Sequence, residues 1–102
     1  MATEARTVYS HVTKDPAVRG GRACIDQTRI AVVDVVALLK QGRTDEQMLA
    51  VYPALNLAQV HAAISYYYEN RQEIEAELAE DDGWEREHER RRAEHLARHD
   101  PR

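Results

Sequence analysis

Apolar residues recur at helical spacing in the middle of the chain and predict two short helices there. The first helix covers 33–41, and Gly42 follows it at the place where a left-handed helix cap belongs. The second covers 44–51, where Thr44 and Gln47 have the spacing of a capping box. The two helices therefore follow each other closely along the chain.

A third helix is predicted to begin at Asn56, because Asn56 and Gln59 repeat the capping-box spacing. The apolar stripe that follows steps by three and four residues through Leu57, Val60, Ile64, Tyr67, Arg71, Ile74 and Leu78. This stripe predicts one amphipathic helix of about seven turns. We expect the run 81–83, Asp-Asp-Gly, to interrupt this helix, and residues 84–99 to form a charged tail that is mobile unless bound.

The first third of the chain favours short strands. Residues 7–12 alternate small or polar groups with larger ones, which is typical of an extended strand. Two more short β segments are predicted at Ala23–Ile25 and Arg29–Val32, with Asp26 and Gln27 as a tight turn between them. The predicted fold class is mainly α with a small N-terminal β element.

The length and composition of the chain restrict its architecture and its chemistry. A chain of 102 residues excludes large catalytic scaffolds such as a TIM barrel. We expect residues 1–80 to form one domain and residues 81–102 to form a charged C-terminal arm. The single cysteine, Cys24, excludes an internal disulfide and any multi-cysteine metal site. No apolar run reaches the ~20 residues of a membrane span and no signal peptide is visible, so we expect a cytoplasmic protein.

The negative charge of the chain is concentrated in one segment. The net charge is −4 at pH 7, yet residues 69–82 alone hold seven acidic residues and one Arg. Residues 83–102 hold six Arg and five acidic residues. The net negative charge counts against strong nonspecific binding of a lone chain to nucleic acid.

The predicted second and third helices have the arrangement of a helix-turn-helix, with Tyr52–Leu55 as the connection. In that motif the start of the second helix of the pair reaches base edges in the DNA major groove. Asn and Gln pair bidentately with adenine, and a basic or hydroxyl residue at a helix start suits a backbone phosphate. The candidate DNA-binding residues are Arg43, Thr44, Asn56, Ala58, Gln59, His61 and Ser65.

The same residues have a simpler explanation. Asn56 and Gln59 are sufficiently explained as helix caps, and capped three-helix cores occur in many proteins that never contact DNA. The spacing therefore leaves a DNA-reading role and a purely structural role open.

Several elements, in this order, resemble the domain of unknown function 433 family. They are DPAVRGGRACIDQTRIAV at 15–32, LLKQGRTDEQ at 38–47, YPAL at 52–55 and VHAAISYY at 60–67. The resemblance covers about residues 8–68. Two positions depart from the family pattern, since Ala23 stands where Pro is usual and Gln27 where Gly is usual. The second departure bears on the turn, because Gly adopts positive φ without steric cost.

The resemblance implies a small antitoxin of a bacterial type II toxin–antitoxin pair, VapB-type by one naming. It implies a homeodomain-like or winged helix-turn-helix fold with an N-terminal β element, a homodimer, and a partner toxin with a PIN-like ribonuclease fold. The two recognition helices of such a dimer would fit a palindromic DNA operator. Short N-terminal strands pairing across a two-fold axis would suit such a dimer.

The C-terminal arm then becomes the candidate toxin-binding segment. An Arg inserted among the carboxylates of a PIN-like site would neutralise them, because guanidinium binds carboxylate bidentately. The candidate toxin-binding residues are Trp84, Arg86, Arg90, Arg91 and Arg92. The alternative is a solvated helix held by i,i+4 pairs such as Glu87–Arg91.

No pattern in the chain predicts catalysis, a cofactor or a metal site. His95 and His99 have helical i,i+4 spacing, but two ligands near a terminus do not make a site. We therefore predict a protein that is not an enzyme. Three hypotheses follow: an antitoxin that also binds operator DNA, a dimeric protein-interaction module without DNA binding, and, as the weakest, a subunit of a metal-dependent nuclease.

Overall fold

The computed structural model describes residues 6–98, and its first elements form a small antiparallel sheet. The strands are β1 (Arg6–Tyr9), β2 (Val12–Lys14) and β3 (Ala23–Ile25), in the order β1-β2-β3. The prediction of one strand over 7–12 is wrong, because the chain turns at His11, whose φ is 63°. No glycine or proline marks this turn in the sequence.

The predicted tight turn after β3 is confirmed, and it takes a left-handed backbone. Asp26 and Gln27 have φ of 43° and 62°, so Gln27 adopts the positive φ for which Gly would be the easier residue. The predicted strand Arg29–Val32 is wrong: only Ala31 bridges to β3, through Cys24, and a helix begins at Val32.

The first three helices begin within one residue of their predicted starts. They are α1 (Val32–Lys40), α2 (Asp45–Val51) and α3, which starts at Leu57. Thr44 and Asn56 are the N-caps of α2 and α3, and both form the predicted capping boxes. The cap oxygens accept the N3 amides at 3.2 and 2.9 Å, respectively. Each box satisfies amide groups that a helix start leaves unpaired.

The predicted seven-turn third helix is wrong, because the helix breaks at Asn70. α3 ends at Glu69, and α4 covers Arg71–Arg98. Asn70 has a ψ of 47°, and its side-chain amide donates to the carbonyl of Tyr66 at 3.0 Å. An Asn side chain that competes for backbone groups in this way favours leaving the helix. The break redirects α4, whose Ile74 is completely buried.

The predicted interruption at 81–83 is also wrong, since α4 continues through it as one helix of 28 residues. Asp82 pairs with Arg86 one turn later, which offsets part of the cost of Gly83. A glycine inside an exposed helix costs only about 1 kcal/mol relative to Ala.

The core is aliphatic and lies between the sheet and the four helices. It takes Val12 and Ile25 from the sheet, Met48 from α2, Val60 from α3 and Ile74 from α4. Cys24 is buried there, as expected for a small apolar residue. Core packing ends partway along α4, because no residue from 82 to 96 is buried. We call residues 71–81 inner α4 and residues 82–98 outer α4.

Candidate functional site

Two regions contain the residues that the sequence singles out. The first is the start of α3, which we call the recognition tip: Asn56, Ala58, Gln59, His61 and Ser65. The structure brings these five residues together over two turns of one helix, and four of them are exposed, while Gln59 is half-buried. The second region is outer α4.

The carboxamide of Gln59 is occupied at both ends. Its oxygen accepts the backbone amide of Asn56 at 2.9 Å, and its nitrogen donates to the carboxylate of Asp26 at 2.8 Å. Hydrogen bonds from Gln59 and then from His11 hold the pKa of Asp26 below its usual range. To read a base, Gln59 would first have to leave a charged acceptor.

The other polar candidates at or near the tip also have partners within the chain. His61 lies 2.9 Å from the carboxylate of Asp45, and the Ser65 hydroxyl lies 2.7 Å from the hydroxyl of Tyr9. Arg43 donates to Gln41 at 3.3 Å, while Thr44 serves as the cap of α2. The contacts with Asp26 and Asp45 bring two carboxylates beside the recognition tip.

Sequence reasoning missed the pair of His11 and Asp26 beside the tip. The imidazole Nδ1 lies 2.7 Å from the Asp26 carboxylate. Both residues have positive φ, and the Asp26 amide donates to the His11 carbonyl at 3.0 Å. No local motif could have revealed this pair, because two turns of the sheet bring the residues together.

Inner α4 is tied to the sheet side of the body through Arg22. This guanidinium donates to Asp81 at 3.0 and 3.1 Å and to Glu80 at 2.9 Å. The bond to Asp81 raises the pKa of Arg22 above its already high value. Glu77 lies 3.9 Å from Arg22, and burial raises the pKa of its carboxyl. One oxygen of Glu77 is buried without a hydrogen-bond partner in the described part of the chain.

Two more acidic residues of inner α4 contact other elements. Glu73 accepts the hydroxyl of Tyr66 at 2.9 Å and pairs with Lys14 at 3.2 Å. Glu75 pairs with Lys40 at 2.8 Å, and this bond holds the pKa of Glu75 below its usual range. The acidic segment seen in the sequence therefore largely forms ion pairs and hydrogen bonds that hold α4 against the body.

Three of the candidate arginines form ion pairs within outer α4. Arg86 pairs with Asp82, while Arg90 and Arg91 both contact Glu87, as the solvated-helix alternative predicts for Arg91. Arg92 has no ion-pair partner among residues 6–98 and is exposed.

The large apolar side chains of outer α4 are also exposed. Trp84 is 65% exposed and stacks on His88 with ring centroids 4.6 Å apart, and Leu96 is 64% exposed. The candidates for toxin binding therefore lie on a surface that the rest of the described chain does not cover.

Two further kinds of feature, a metal site and a membrane-spanning helix, are absent from the described residues. Between residues 6 and 98, no group of three His, Cys, Asp or Glu is arranged to hold a metal ion. His99 lies outside the described residues. No helix in the same range is long and apolar enough to span a membrane.

A small sheet, three short helices and a long charged fourth helix define a small, mainly helical protein with a helical extension. The family model described as "Protein of unknown function (DUF433)" matches residues 12–67, and the chain belongs to this family. It is similar to the crystal structure of a DUF433 member protein from Anabaena variabilis ATCC 29413. The two share 40% sequence identity over 68% of each chain, with a TM-score of 0.65. The search of curated proteins found no match.

Proposed function

We propose that the chain is an antitoxin-type binding protein whose C-terminal arm binds and neutralises a PIN-like ribonuclease. The observation that carries the proposal is the exposure of Trp84 and Leu96 on outer α4. A helix that leaves large apolar groups in water, away from its own core, is typical of a binding segment. Trp is enriched among the residues that dominate binding energy.

Arg92 is the first of the four candidate arginines to test. Arg86, Arg90 and Arg91 already contact carboxylates of their own helix, whereas Arg92 has no such contact in the described chain. A guanidinium without a partner can enter a carboxylate cluster without first breaking a bond. The fold-level analogy to other antitoxins supplies the PIN-like partner, and the exposed helix supports the mode of binding.

Operator binding by a homeodomain-like or winged helix-turn-helix is a second candidate function. The short connection from Tyr52 to Asn56 and the exposed start of α3 favour it. The bond between Gln59 and Asp26 opposes it, because the predicted base-reading group is occupied. A dimeric interaction module without DNA binding would use the same arm and needs no change at the tip.

The test of the main proposal is co-purification of the chain with a PIN-like ribonuclease from its native host, followed by an assay of whether the chain inhibits that ribonuclease. Both a toxin partner and operator DNA would place the protein in the cytoplasm. We expect the full chain to inhibit the ribonuclease, and Trp84→Ala to weaken the complex by about 2 kcal/mol. Arg92→Ala should weaken it more than Arg91→Ala, the matched control one position away. Equal effects of the two arginine changes would contradict the role given to Arg92.

The two candidate functions are separated by deleting residues 83–102. An antitoxin with a separate operator-binding tip keeps a sequence-selective gel shift and loses ribonuclease inhibition. Far-ultraviolet circular dichroism checks that the shortened chain is folded. Loss of both activities, or of neither, would contradict this division, and no gel shift with either chain would favour the interaction module.

A further inference from the structure

A groove of about 550 Å³ lies between α1 and inner α4 and extends to the start of outer α4. Apolar side chains form its floor, and its rim holds several carboxylates together with Lys40. The lining residues that matter here are Val33, Ala37 and Leu78 in the floor and Glu75, Asp82 and Glu85 at the rim. Glu75 is paired with Lys40 and Asp82 with Arg86, whereas Glu85 has no ion-pair partner in residues 6–98. The groove therefore suits a segment that brings one apolar group and one cation.

The far end of the same helix presents such a pair. Leu96 follows Leu78 by about five full turns, so the two side chains lie on the same face of α4. Arg92 lies one turn before Leu96 on that face, exposed and without an ion pair in the described residues. Trp84 lies on a different side of the helix, about a third of a turn away.

We propose that the groove binds outer α4 of a second copy of this chain, and that two copies dock reciprocally. In the pair, the two α4 helices run antiparallel about a two-fold axis near residue 87. Leu96 of each copy then reaches the level of Leu78 in the other, and Arg92 reaches Glu85 and Asp82. One symmetry operation thus fills both grooves.

The occupant is a second copy because outer α4 cannot fold back into the groove of its own chain. It is one continuous helix, and the rise along it separates Leu78 from Leu96 by about 27 Å. The charges are complementary at one position: Glu85 beside the groove and Arg92 on outer α4 are both exposed, and neither has an ion-pair partner among residues 6–98. Docking would cover Leu96 and give Arg92 and Glu85 the partners that the single chain lacks.

This inference concerns the free chain and does not depend on the proposed function. If both hold, self-association and toxin binding both use Arg92 and exclude each other. The toxin then has to displace the second copy in order to bind.

Sedimentation velocity of the full chain over a range of concentrations tests the pairing. The wild-type chain should dimerise, and Leu96→Ala should raise the dimer dissociation constant about tenfold or more. Val51→Ala removes an equally aliphatic, exposed group from α2 and should leave the constant unchanged. Circular dichroism confirms that each variant keeps its helix content.

A charge exchange tests the register of the two helices. Arg92→Glu and Glu85→Arg should each weaken the dimer, and the double variant should restore most of the affinity. Arg29→Glu makes the same charge change on an exposed residue of the loop between β3 and α1 and should have no effect. A chain that stays monomeric at every concentration would overturn the proposal. So would a dimer that Leu96→Ala and Arg92→Glu leave intact, because its interface would lie elsewhere.

Discussion

Inner and outer α4 are parts of one helix, yet they differ in whether their ion pairs join α4 to other elements or stay within the helix. The acidic residues of inner α4 contact Lys14, Arg22 and Lys40, which lie on other elements. The ion pairs that Arg86, Arg90 and Arg91 form in outer α4 join residues three or four apart. Pairs within a helix hold only the helix, whereas pairs between elements fix its position. The charged sequence is thus one continuous helix with two parts, one attached to the body and one exposed.

The largest expected difference between the two halves comes from their apolar groups. Ile74 is fully buried in inner α4, so Ile74→Ala should lower the free energy of unfolding by about 2–5 kcal/mol. Leu96 is exposed, so Leu96→Ala should change it by no more than about 0.5 kcal/mol in the monomer. Urea denaturation of dilute protein measures both. A comparable loss in the two variants would mean that outer α4 is packed on the body.

The attachment of inner α4 through Arg22 is the next contrast. Arg22→Ala removes bonds to Asp81 and Glu80 and leaves Glu77 without its nearest cation, so we expect a loss of about 2 kcal/mol. The Arg22 side chain is only 18% exposed, which limits screening by solvent. Unchanged stability on urea denaturation would show that Arg22 does not fix α4.

The local signals in the sequence were enough to place three helix starts. The capping boxes at Thr44 and Asn56 depend on residues three apart, and both were predicted correctly. The break at Asn70 was missed, because the apolar stripe passes through it in phase with a single helix. What decides the break is a side-chain bond to the Tyr66 carbonyl and the burial gained by Ile74. Neither is visible before the fold is known.

The candidate sites also differ in how much of them could be predicted from the sequence. Exposure of Trp84 and Leu96 follows from a segment with too few apolar residues to pack, and this could be anticipated from the sequence. The bond of Gln59 to Asp26 joins residues 33 positions apart and depends on the turn after β3. The groove beside α1 likewise requires the redirected α4, so no sequence motif indicated it.

Replacing Glu77 should change the free energy of unfolding by less than replacing Arg22 does, and in the opposite direction. Because burial raises its pKa in the folded chain, folding favours the protonated form. Its contribution to stability is therefore greatest below the unfolded value of about 4.3 and falls as the pH rises through the folded pKa. Glu77→Gln should raise the free energy of unfolding at pH 7 by on the order of 1 kcal/mol.

The control for Glu77→Gln is its own pH profile. The variant should lose the wild-type decline in stability on the neutral side of pH 4.3, and the two proteins should converge at lower pH. A variant that is less stable than the wild type at pH 7 would show that the ion pair with Arg22 outweighs the burial of Glu77.

The smallest expected effect comes from a pair within outer α4. Arg91→Ala removes the contact with Glu87, but an exposed i,i+4 pair contributes little and Ala favours the helix. Thermal unfolding of Arg91→Ala should show no measurable change in melting temperature, in contrast to the loss of stability caused by Arg22→Ala. A clear drop in the melting temperature would mean that the pairs of outer α4 support the whole fold.

Hydrogen exchange along α4 tests the central claim most directly. The full chain is measured by mass spectrometry in dilute solution, at a concentration where sedimentation velocity shows a monomer. We expect strong protection over residues 71–81 and rapid exchange over residues 83–96, because only inner α4 is attached to the body. Uniform protection along both halves of α4 in the monomer would contradict the division into an attached segment and an exposed arm.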